Sequence, residues 1–322
     1  MNSLNCASVE DIKVSVYCAT YNHEAYIAGA LDSFLGQKTN FKFEIIVHDD
    51  ASTDGTADII RQYAERYPET IRPIIQKENQ HSRGVRIFST YVVPRLRGEY
   101  VAVCEGDDYW CNDNKLQKQV DWLDTHHSCS ACVHNTLAVD VVSRKERIIG
   151  GTSGYLSLEG LSMGGGREYH TSSVMYRRKY AANRPGFLTA IPGVDDYPLA
   201  IYLRLSGEVY RMEDIMSVYR SRVPNSWSEG MRSSLKKMEN LLLAEKEMLQ
   251  MADEYSNYVH TSVFTRAVLY KEYQLAKWFG HNAWLRQPEY REFYRNESLF
   301  RRIFMCLPYS ARLRRLLFQY LL

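Results

Sequence analysis

The feature that most constrains this chain is a short apolar run, met three times, that ends each time in a polar cluster. Val14-Ser15-Val16-Tyr17-Cys18 ends at Thr20-Tyr21-Asn22, Phe43 to Val47 at His48-Asp49-Asp50, and Tyr100 to Cys104 at Glu105-Gly106-Asp107-Asp108. Runs of this length and composition read as buried strands. Between them, Ile27, Ala30, Leu31, Phe34 and Leu35 recur at helical spacing, as do Ile59, Ile60, Tyr63, Ala64 and Tyr67. Ile71 to Ile75 reads as a further strand, and Val85 to Leu96 as a helix that Pro94 shortens or kinks. This alternation predicts a parallel α/β sheet with helices on both faces. Ligands of such sheets bind beyond the carboxyl ends of the strands, where all three polar clusters fall.

After a helix near Lys115 to Thr125 the pattern becomes irregular. Short strands are expected at Ala131 to Asn135, Ala138 to Val142, Ser172 to Tyr176, Val209 to Met212 and Ile215 to Tyr219, with a helix over Asp195 to Leu205. From Glu229 the pattern is helical through about Phe279. The 322 residues exceed one ordinary core, and the change of pattern near Trp227 divides them into a domain over 1–227 and a helical C-terminal extension over 228–322. A net charge of +2 gives no field that would favour nucleic acid. Seven scattered cysteines argue against a disulfide framework. No apolar run is long enough to span a bilayer, and Met1 to Asp11 lacks a secretory leader, so the expected location is cytoplasmic.

Carboxylates crowded at a buried strand end, as in Glu105-Gly106-Asp107-Asp108, repel one another unless a cation or donors compensate. A divalent ion shared with substrate phosphates would do so; a helix cap with a turn is the alternative. Asp50, Ser52, Asp54 and Gly55 imitate the start of a calcium loop, but its twelfth position is Arg61, which excludes that reading. Neither a phosphate-binding P-loop nor a Gly-x-Gly-x-x-Gly turn is present, which removes the ATPase and dehydrogenase classes.

Taken in order, Val14 to Asn22, then Val47-His48-Asp49-Asp50-Ala51-Ser52-Thr53-Asp54-Gly55-Thr56, then Glu105-Gly106-Asp107-Asp108-Tyr109-Trp110 resemble the family 2 glycosyltransferases of GT-A fold, over roughly the first 225 residues. The resemblance implies an α/β GT-A fold, a mixed sheet flanked by helices. It implies inverting transfer from a nucleotide-diphosphate sugar, usually a UDP-sugar, to a hydroxyl of a saccharide or lipid-linked saccharide. Similar bacterial enzymes build capsule, O-antigen and other surface polysaccharides. By position, Tyr21 would stack on the base within a donor loop that includes Thr20, Asn22 and Glu24, and Asp49 would accept from the base N–H. Asp107, with Glu105, would hold Mn²⁺ or Mg²⁺, although Glu105 departs from the family's first Asp, and Asp108 would assist at ribose, metal or sugar. Asn79 and Arg83 fall where a donor-contacting loop is expected; Arg83 reads equally as a surface residue.

Asp195-Asp196 resembles the family's acidic pair, the second residue being the general base; helix N-terminal residues are the alternative. Arg222 stands where relatives often carry a histidine, and could neutralise a diphosphate instead. His170 reads either as an acceptor contact or as a structural histidine. Cys129 and Cys132, with His126, His127 and His134, resemble part of a zinc site, but buried thiols fit better. The basic, apolar segment 299–322 suits either the inner face of an anionic plasma membrane, as a peripheral contact, or packing on the body or a second subunit of a homodimer. Two competing functions remain at this point: a nucleotidyltransferase, and a non-catalytic nucleotide- or sugar-binding module.

Overall fold

The structure, a computed structural model, describes residues 11–164, 168–223, 235–279 and 287–299, together with 285 and 302. The three apolar runs form β1 (Ile12–Thr20), β2 (Lys42–Asp49) and β4 (Tyr100–Val103), and β3 (Ile71–Ile75) lies outside β2. All four are parallel, in the order β3-β2-β1-β4. Helices α1 (Ile27–Leu35) and α2 (Thr56–Arg66) occupy the expected connections.

Beyond β4 the sheet becomes mixed. β9 (Met175–Arg177) is antiparallel to β4 and to β6 (Cys129–Asp140), and β10 (Glu208–Ser221) runs parallel to β6. The two-residue β5 (Tyr109–Trp110) closes this edge against Val218 and Ser217. β7 (Glu146–Ile149) and β8 (Gly154–Tyr155) pair off the main path with β6 and β10.

Pleating sends alternate side chains to opposite faces. Val14, Val16, Cys18, Ile45, Val47 and Ala102 join α1 and α3 (Lys115–Thr125) in one buried cluster. Ile46, Val101 and Val103 face the other way, toward α4 (Leu158–Gly164) and α5 (Asp196–Ser206). That second cluster also takes in Met248, Leu249 and Ala252 of α6 (Leu235–Tyr255), and Phe264 and Ala267 of α7 (Thr261–Phe279). Burying one such side chain contributes about 1.5–3 kcal/mol, so the helices of the extension share their core with the sheet. Lys271 lies 4.1 Å from the ring centre of Tyr197, and Arg266 pairs with Glu159 of α4. The short α8 (Arg291–Asn296) packs on α7 through Phe293 and Tyr273.

Several local expectations need correction. Residues 85–96 form a π-helical turn over Phe88–Val92 and a 3-10 turn over Val93–Arg95, because Pro94 cannot donate into an α-helix. The paired strands expected at 131–142 are one strand, as are those at 209–219, since shifts of register let each pair bypass its irregular residues. The strand expected over 172–176 begins only at Met175; Thr171–Ser173 is a 3-10 turn. Segment 299–322 and the chain around Trp227 lie outside the described residues, apart from Leu299 and Arg302.

Candidate active site

At the carboxyl edge of β1 and β2, two loops interlock. Asn22 donates its N–H to Ser52 Oγ at 2.8 Å and accepts from Thr53 N at 2.8 Å. Glu24 accepts from Gly55 N at 2.9 Å, and its own N–H donates to Asp54 at 3.1 Å. Asn22 and Glu24, expected at the donor, also tie the two loops together. Both oxygens of the fully buried Asp49 are engaged by Ser52, through its N–H and its hydroxyl. Asp50 accepts from Gln80 N at 2.8 Å and His81 N at 3.0 Å, holding the loop that carries Asn79. Asn79 in turn accepts from Ser82 N, and Arg83 pairs with Glu78 on the surface. Tyr21 stays 45% exposed at the mouth, available for stacking.

The acidic turn after β4 is drawn in close. Gly106 N donates to Ala19 O at 2.9 Å, and a Cβ there would lie 2.9 Å from the Thr20 hydroxyl and 3.1 Å from His23 Nδ1. Only glycine lets the turn approach β1 this closely. Asp107 Oδ2 lies 3.9 Å from His23 Nε2. Asp108 is fully buried: its Oδ1 accepts from Arg220 N at 2.9 Å, while its Oδ2 has no partner. Thr20 Oγ1 and His23 Nδ1 are likewise buried and unpaired beside it. Orphaned polar atoms grouped in this way fit a turn that binds a cation or phosphate better than a finished helix cap.

Glu105, Asp108 and His170 bring ligand-type atoms within 4.8 Å of one another, and His170 Nδ1 lies 3.7 Å from Asp108 Oδ2. The geometry therefore groups Glu105 with Asp108, while Asp107, expected as the main metal ligand, is not one of the three, and its charge acts on both. Burial, then the charges of Asp107 and Glu105, push the Asp108 carboxyl well above the usual range. Burial, then Asp107 and Asp196, push Glu105 up to about 8. Asp196 is raised mainly by burial, against opposing hydrogen bonds from backbone N–H groups and Thr171. Solvent still reaches both Glu105 and Asp196, so a ligand can touch either carboxylate. The exposed Asp195 lies beside them, 3.9 Å from Arg86.

One further group, Arg220, completes the site. Arg220 donates to Asp107 O at 2.6 Å, and its guanidinium lies 4.5 Å from the Tyr109 ring centre and 5.3 Å from that of Tyr26. Arg222, the arginine singled out from the sequence, turns to Asp140 at 3.2 Å instead. Arg220 is next to Tyr219 in the same motif; the signal that distinguishes it is register, since Val218 pairs with Tyr109 immediately after the acidic turn. No zinc cluster forms among the described residues around Cys129 and Cys132, which are buried free thiols.

The glycosyl transferase family 2 model matches residues 15–183, just over half the chain. The uncharacterized protein Rv1520 of Mycobacterium tuberculosis is 33% identical over 269 residues, covering 76% of this chain and 73% of that protein. The poly(ribitol-phosphate) beta-N-acetylglucosaminyltransferase TarS of Staphylococcus aureus is 32% identical over 118 residues, 36% of this chain and 20% of TarS. Among solved structures, TarS 1–349 in complex with UDP aligns with a TM-score of 0.51 at 22% identity, covering 94% of this chain and 88% of that one. The mannosyltransferase PcManGT of Pyrobaculum calidifontis, in complex with GDP-Man and Mn²⁺, aligns at 0.52 and 18%, covering 94% and 87%. Against the longer TarS structure the match spans 44% of that chain. These likenesses establish a GT-A fold, and with the family match the chain belongs to glycosyl transferase family 2 and is a glycosyltransferase.

Proposed function

We infer that the chain moves a sugar, with inversion, from a nucleotide-diphosphate donor to a hydroxyl of a saccharide or lipid-linked saccharide. The observation that carries this reading is the grouping of Asp108 and Asp196 around Glu105, close enough for their charges to act on one another, with a buried, unpaired Asp108 oxygen among them. TarS binds UDP and PcManGT binds GDP-Man with Mn²⁺, which supports a nucleotide-sugar donor and a divalent ion here. A UDP-sugar is the favoured donor, and bacterial surface polysaccharide the favoured product class. Residues 1–227 serve as the GT-A part and 228–322 as the helical extension.

Tyr21 offers the exposed ring for the base, at the mouth of the loop that Asp49, Asn22 and Glu24 hold in place. Glu105 and Asp108 would hold the cation, Mn²⁺ or Mg²⁺; a bound divalent ion neutralises charge on a departing diphosphate. Arg220, always charged and stacked on Tyr109, presents a fork suited to phosphate oxygens. Asp196 accepts the proton of the attacking hydroxyl, and Thr171 holds its carboxylate in place. Asp195 lies beside it and adds negative charge.

Proton NMR of UDP-sugars and GDP-mannose incubated with the protein and Mn²⁺ tests the reading. For an α-linked donor, the sugar should first appear in the β configuration. Asp196→Asn should slow its release by about 10²–10⁴-fold with nucleotide affinity unchanged. Release with the donor's own configuration, or full activity in the variant, would contradict it.

A further inference from the structure

We propose that His170 is a protein ligand of the divalent ion, completing a nitrogen-and-oxygen set with Asp108 and Glu105. The inference rests on the metal-binding reading above and deepens it, because it names the ligand that no acidic motif supplies.

The ring is held by a built surround. His170 stacks on Tyr219 with centres 4.1 Å apart and planes 25° from parallel. Its Nδ1 lies 2.9 Å from Ser172 Oγ, which hydrogen-bonds Ser217 Oγ at 3.0 Å, and Ser217 hydrogen-bonds Thr136 Oγ1 at 2.8 Å. Ser172, Ser217 and Thr136 are all fully buried. Ser172 N also donates to Nδ1 at 3.3 Å, and because a backbone N–H only donates, Nδ1 carries a lone pair; it is the ring nitrogen that faces Asp108 Oδ2, at 3.7 Å. Stacking and hydrogen bonds of this kind fix the ring's orientation, as the surrounds of metal-bound histidines do.

The same turn is tied from below. Trp110 Nε1 donates to Ser172 O at 2.9 Å, and Gln119 Nε2 donates to Ser173 O at 2.9 Å. On the ligand side, Asp108 Oδ2 is buried without a partner, 3.7 Å from the ring. Imidazole beside carboxylates selects Mn²⁺, Co²⁺ or Zn²⁺ over Mg²⁺, which prefers oxygen alone.

Electron spin-echo measurements on the full-length chain loaded with Mn²⁺, alone and with UDP or GDP, read the ligand directly. The expected result is a ¹⁴N coupling from a bound imidazole, lost in His170→Gln and kept in His23→Gln, the competing imidazole beside Asp107. Mn²⁺ affinity should fall about tenfold or more in His170→Gln, with Mg²⁺ affinity changing less. Bound Mn²⁺ without nitrogen coupling in the unmodified protein, or coupling that survives in His170→Gln, overturns this inference alone. Failure of the unmodified protein to bind Mn²⁺ with either nucleotide overturns the metal reading and this inference together. The spectrum of the unmodified protein decides the question even if a variant fails to fold.

Discussion

Lys115 is fully buried with no carboxylate partner among the described residues; it donates to Gln119 Oε1 at 2.8 Å and sits 4.0 Å from the Trp110 ring centre. Burial lowers its pKa from 10.5 to about 7. Between those values the unfolded chain binds the extra proton, so this group's contribution to stability rises with pH across that window. Below the lower value its cost is fully present. Lys115→Met should therefore have its most favourable melting temperature, relative to the natural protein, near pH 6.5. That advantage should shrink steadily toward pH 9, and a difference independent of pH would contradict the account. Glu105, Asp108 and Asp196 of the proposed site were named from the sequence because each stood in an acidic motif. The place of Arg220, which is brought to the acidic turn by strand register, was not legible there, nor were the loop-tying roles of Asn22 and Glu24, which need partners some thirty residues away.

The decisive elements are the strand ends. Gly106 packs the acidic turn against Thr20 and His23 so tightly that one added carbon must displace it. Gly106→Ala should destabilise the fold by about 1–3 kcal/mol, as overpacking does, and should weaken nucleotide binding in calorimetry far more than it lowers the melting temperature. Unaltered nucleotide affinity would show that the turn does not form the donor site. β1, β2 and β4 were readable because each is a local run buried on both faces, and the edge strand β3, only partly buried, from its isoleucines. The β6, β9 and β10 arrangement was not, since its antiparallel pairings and shifted registers are set by contacts distant in sequence.

At the scale of the whole molecule, the described helices of the extension cover the outer side of α5, the helix that begins at Asp196. Met248, Leu249, Ala252, Phe264 and Ala267 share its buried cluster, and Lys271 caps the ring of Tyr197, next to the proposed base. A fragment ending at residue 227 should therefore expose that cluster and fail to melt cooperatively. A soluble fragment with a sharp transition would show instead that the extension is an independent body. The helical pattern after Glu229 predicted an extension but not where it docks, because docking depends on which face the sheet leaves uncovered. The central claim is that the acidic turn binds a nucleoside diphosphate with a divalent ion. The most direct test is calorimetry of UDP, GDP, CDP and TDP with Mn²⁺, with EDTA, and against Asp108→Asn. The account predicts that one diphosphate binds only with the metal and that the variant abolishes it; folded protein that binds none of them with Mn²⁺, or binds equally in EDTA, would contradict it.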